Sequence, residues 1–130
     1  MNFTKIIGIL LVSVAVMATT GCRTSPVRQV ENQPTDVAYN VSMEAVKGAI
    51  VRAGTGLGWI MKPIEPGLIE GTLLIRSHMA KVNIPYDHNS FSIEYKDSDN
   101  LHYDGTNIHS NYNGWIVNLE RAIRLQLSTL

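Results

Sequence analysis

"LIEGTLLIRSHMAKVNIPYDHNSFSIEYK", residues 68–96, decides the fold. Ile69, Leu73 and Ile75 share one side of an extended chain with Gly71, because side chains alternate faces along a strand. After the turn at "SHM" the apolar parity changes. Ala80, Val82, Ile84 and Tyr86 now alternate with Lys81, Asn83 and Pro85. A parity change across a tight turn is what a hairpin requires to keep one face apolar. "DHNS" is the next turn, and Phe91, Ile93 and Tyr95 then alternate with Ser92, Glu94 and Lys96. Upstream, "WIMKPI" runs into a turn at "EPG". The segment predicts about four antiparallel strands with one apolar and one polar face.

Two helical patterns flank this meander. Ser42 precedes "MEAVKGAIVRAG", where Val46, Ala49, Ile50 and Ala53 recur at helical spacing. "AGTGLG" closes the segment. Glycines that cradle phosphate follow a strand and open a helix; these follow a helix, so Gly54 or Gly56 reads as its C-cap. Near the end of the chain, Tyr112, Trp115, Ile116, Leu119, Ala122, Ile123 and Leu127 form one stripe, with Ser110 or Asn111 as the N-cap. "VAYNV", residues 37–41, reads as a first strand. The order β-α-β-β-β-β-α predicts an α+β two-layer sandwich, with a four- to five-stranded antiparallel sheet and both helices on one face. That order resembles the helix-grip arrangement.

The first residues read differently. A basic start ends at Lys5, and "IIGILLVSVAVMA" is then almost purely apolar. The run is shorter than the roughly 20 residues that cross a bilayer, and it has the organisation of a secretory signal. Thr19, Thr20 and Gly21 lead to Cys22, the only cysteine. "TTGC" resembles the lipobox of bacterial lipoproteins, although Thr19 stands where leucine is commonest. The resemblance implies a signal peptide over 1–21, diacylglycerol and further acylation (palmitate) on Cys22, and cleavage before it. Arg23, in place of an aspartate, implies sorting to the outer membrane with the domain facing the periplasm. "RTSPVRQVENQPT", residues 23–35, is polar and holds Pro26 and Pro34. With Cys22 it reads as a flexible tether over 22–35, ahead of an α+β domain over 36–130.

"RSHMA", "IPY", "FSIEYKDSDNL" and "IHSNYNGWIVNL" together resemble a family of small proteobacterial lipoproteins of unknown function. The resemblance covers about residues 37–127. It implies the α+β domain and the lipid anchor, and no activity.

Charge is balanced at 11 basic and 11 acidic residues, so no basic footprint points to nucleic acid. The histidines are His78, His88, His102 and His109. None pair at helical i, i+4 spacing, so no metal site is expected. "DSDN" at 97–100 opens like a calcium loop, but His102 stands where glycine is needed and Ile108 where glutamate is. Arg76 and His78 close one hairpin and are expected to meet Tyr112 and Asn113 in a polar cluster at one edge. His102 and His109 flank a turn and are expected to approach each other. No nucleophile motif is present, and no cofactor is expected.

The reading is a lipid-anchored, non-enzymatic binding or adaptor module, with the membrane and an envelope protein as partners. The alternative is a small-ligand or metal sensor built on residues 97–113. A hydrolase is the least favoured.

Overall fold

A computed structural model describes residues 23–130; the segment expected to be a signal peptide and Cys22 lie outside them. In chain order the elements are β1 (Thr24–Pro26), β2 (Val30–Pro34), α1 (Met43–Gly56), β3 (Ile60–Glu65), β4 (Leu68–Ile75), β5 (His78–Pro85), β6 (Ser90–Asp99), β7 (Asn107–His109) and α2 (Ser110–Leu127). The main sheet runs β2-β6-β5-β4-β3, antiparallel throughout. A second sheet pairs β1 with β7. The protein is α+β, as the pattern predicts.

The meander folds in the register that its alternation demands. Ile69, Leu73, Ala80, Val82, Ile84, Phe91 and Ile93 are all buried. They form one core with Val46, Ala49, Ile50 and Ala53 of α1 and with Tyr112, Ile116, Leu119 and Ile123 of α2. Each valine, leucine, isoleucine and phenylalanine among them contributes about 1.5–3 kcal/mol through burial, and each alanine less. The outward face carries Glu70, bonded to Lys96 at 2.5 Å and paired with Lys81 at 3.9 Å. Ser92 departs from the expectation of a solvated outward row. It is buried, and its Oγ accepts the Asn32 amide at 2.9 Å.

The N-terminal part corrects the expected boundaries. Residues 23–35 are not a tether. β1 and β2 pair with β7 and β6, and the strand over β2 replaces the one expected at 37–41. Residues 37–41 instead form a turn, in which the Val41 amide donates to the Ala38 carbonyl at 2.9 Å and Tyr39 is 95% exposed. Their β-prone side chains meet no free sheet edge, whereas β2 lies along β6.

α1 starts at Ser42, whose side chain accepts the Ala45 amide. Its end is a Schellman motif. Trp59 donates to the Gly54 carbonyl (2.9 Å) and Gly58 to the Thr55 carbonyl (3.0 Å). Gly58, at φ +91°, supplies the left-handed residue in place of Gly54 or Gly56. Gly54 is buried inside the helix, where a Cβ would come within 2.3 Å of the Met61 sulfur. Trp59 is buried and Trp115 is half-buried.

Both edges of the main sheet are interrupted. β3 carries Pro63 and a register shift before Glu65. β2 has a shift between Val30 and Gln33, Asn32 at φ +47°, and ends on Pro34.

Gly58→Ala is expected to lose about 1–2 kcal/mol, because a left-handed φ penalises any Cβ. Gly56→Ala, helical and with open space around it, is expected to gain about 0.5–1 kcal/mol. Urea unfolding of the two variants should shift the midpoint in opposite directions.

Candidate functional site

The β4–β5 turn brings Arg76, Ser77 and His78 to one end of the sheet. Ile75 pairs with His78, and Arg76 takes φ +55°. The β6–β7 loop is laced to this turn. His78 Nδ1 lies 2.8 Å from the Asn100 carbonyl, and Asn100 Nδ2 donates to Ser77 Oγ at 2.9 Å. A ring nitrogen facing a carbonyl carries the proton, so His78 Nδ1 donates this bond.

His109 stands where β7 becomes α2. Its amide donates to the Leu101 carbonyl (2.8 Å), and its Nδ1 accepts the Asn111 amide (3.1 Å). His109 therefore caps α2, the role expected of Ser110 or Asn111. The His78 and His109 ring centroids are 6.3 Å apart, and Trp115 lies 6.3 Å from His78. The histidine that faces His109 is thus His78 rather than His102. Two imidazoles are fewer ligands than a zinc site uses, and no three His, Cys, Asp or Glu side chains converge among the described residues.

Tyr112 and Asn113 do not join this cluster. Asn113 clamps the N-terminal segment instead. Its Oδ1 accepts the Arg28 amide at 2.8 Å, and its Nδ2 donates to Ser25 Oγ and to the Pro26 carbonyl, both at 2.9 Å. About two helical turns further on, Glu120 binds Arg28 and Arg124, each at 3.0 Å. Burial opposes ionisation of the Glu120 carboxyl, but the hydrogen bonds from both arginines outweigh it and hold its pKa below the ordinary carboxylate value. Arg124 also reaches Gln33 of β2. The Ser110 amide donates to the Arg23 carbonyl at 2.8 Å. The segment from Arg23 to Gln33 is thereby stitched to α2 along its length.

Tyr112 is fully buried, and its hydroxyl has no hydrogen-bond partner. It meets Tyr95 edge-on, with centroids 5.8 Å apart, and Tyr103 lies against Tyr95 at 4.0 Å. Burial first, and then the neighbouring tyrosines, push the Tyr112 phenol well above its ordinary pKa. Tyr95 and Tyr103 line an open groove of about 560 Å³ with Val27, Gln29, Glu31 and Glu94. His102 is exposed and at φ +53°, with Asn100 at +58° just before it. Asp104 accepts the amides of Asn107 and Thr106, which lower its pKa and spend it on the turn. Asp87 does the same for Asn89 and Ser90. His88, in that distal turn, reaches the Ala38 carbonyl at 3.0 Å.

No protein-family model, curated protein or solved structure matches this chain. Its own geometry is therefore what bears on function.

The opposite end of the sheet holds a surface that the sequence pattern does not single out. Met43 and Lys47 of α1, Pro63 and Ile64 of β3, and Tyr86 line a cleft of about 260 Å³. Met43 is 40% and Ile64 is 46% exposed. The available signal was Ile64 beside Pro63, an apolar residue on an edge strand that cannot pair fully.

Asn113→Ala removes three hydrogen bonds and is expected to cost about 1–3 kcal/mol. Trypsin should then cut after Arg28 several-fold faster, while the fragment from β2 onward stays resistant. Tyr112→Phe removes an unpartnered buried hydroxyl, so a gain of about 1 kcal/mol in urea unfolding is expected. A loss would mean that the hydroxyl has a bonded partner in solution.

Proposed function

We propose that this chain is an outer-membrane-anchored lipoprotein that faces the periplasm and binds another envelope component without catalysis. The sequence around Cys22 supports the anchor, and Arg23 in place of aspartate supports the outer membrane. No described helix is long and apolar enough to cross a membrane, and on this reading attachment comes through the lipid. The observation that carries the binding role is the cleft of Met43, Lys47, Pro63 and Ile64. It exposes apolar side chains at the end of the sheet remote from Arg23. Tyr39, at 95% exposure, adds an aromatic side chain in the loop that leads into α1. Aromatic and methionine side chains beside a lysine suit a protein surface with an apolar centre and a polar rim.

The test is a photo-crosslinking residue placed singly at Ile64, Tyr39 or Leu125 in intact cells. One dominant envelope protein captured from Ile64 and Tyr39, absent from Leu125 on the outer side of α2, and lost on Cys22→Ala, is the expected result. Equal capture from all three positions, or from none, would discard the adaptor reading.

A second reading is favoured by one observation, the close, tilted Tyr95–Tyr103 pair in an open groove of about 430 Å³ that left-handed Asn100 and His102 also line. Non-glycine residues in that conformation gather at ligand sites. On this reading the segment 97–113 senses a small ligand.

A further inference from the structure

The first described residue is already fixed to the domain. The Arg23 carbonyl accepts the Ser110 amide, and Thr24 pairs with His109. Consecutive Cα atoms are about 3.8 Å apart, so Cys22 has one residue of reach from the start of α2. A free tether of a dozen residues would give roughly 20 Å. An acyl chain attached at Cys22 would therefore emerge beside His109 and Ser110, with no length to let the domain stand away.

We propose that this end of the domain is a membrane-contact surface that rests in the phosphate-bearing headgroup layer of the bilayer holding the Cys22 lipid. The inference rests on the lipid-anchor reading above.

The residues that the topology gathers at this end fit such a layer. Antiparallel order places the β4–β5 turn, the start of β3 and the end of β6 together. Arg76 is exposed in the turn and Arg23 beside the attachment point. Leu74 is 62% and Leu57 is 44% exposed. Leu57 lines a small cleft of about 220 Å³ with Trp59, Leu73, Ile75 and Trp115. Of the two tryptophans, half-buried Trp115 is the one available at the surface; tryptophan settles at headgroup depth, and arginine extends its guanidinium to lipid phosphate while its stem lies on apolar surface. Asp99, opposite Met79 in the β5–β6 pair, is the acid at this end. Against Arg23 and Arg76 it leaves these named charges with a positive excess, which suits lipid phosphate.

The experiment uses the native lipidated protein in vesicles of phosphatidylethanolamine and phosphatidylglycerol whose acyl chains are brominated near the headgroup. Acylated Cys22 has no free thiol, so a single added cysteine takes a fluorescent label. Leu74→Cys and Leu57→Cys report on the proposed contact, and Ile64→Cys reports on the far end. All three positions are exposed, which leaves the core untouched. Several-fold stronger quenching at Leu74→Cys and Leu57→Cys than at Ile64→Cys is the expected result. Equal quenching at all three, or none, in protein that floats with the vesicles would overturn the contact surface and leave the anchor standing. Protein that does not float, with no acyl mass on Cys22, would overturn the anchor and the contact surface together.

Discussion

The structure depends on one constraint, a sheet with a single apolar face whose first two strands in chain order sit at opposite edges. β2 lies beside β6, while β3 closes the other side. The link between them has to travel the width of the sheet. α1 is that link, and it buries Val46, Ala49, Ile50 and Ala53 on the way. Alanines there let the helix lie close to the strands. The crossing fixes which face is covered, and α2 then fills the remaining width with Ile116, Leu119 and Ile123.

The same constraint explains what was legible in the sequence. Residues 68–96 could be read because every second side chain there is committed to the core, and period two survives without knowledge of the partner. β2 could not. In "VENQP" only Val30 is buried, so the strand has no apolar alternation to read. It is held by backbone pairing to β6 and by Arg124 of α2, which reaches Gln33 from 91 positions away in sequence. "VAYNV" has the stronger local β composition and forms a turn. Local propensity loses here to the availability of an edge.

The site divides along similar lines. That Arg76 and His78 share a hairpin end was legible, because the turn places them. That His78 faces His109 was not, since it depends on how the β6–β7 loop folds back through Asn100. From the sequence, Asn113 is expected to join Arg76, His78 and Tyr112 in a polar cluster at one edge of the domain. Its amide instead satisfies three groups of the N-terminal segment, a structural task that only long-range pairing creates.

Under the proposed lipid anchor, Pro63 and the register shift beside it acquire a further meaning, because the molecule would be confined to a surface. Proteins held in two dimensions meet their own copies often and in similar orientations. An open sheet edge would turn such meetings into continuous ribbons. A proline removes an amide donor from β3, and the shift bends what remains. β2 is broken in the same manner at Asn32 and Pro34. The sheet therefore ends in two edges that refuse a sixth strand, and on the anchored reading crowding would favour lateral mobility over polymerisation.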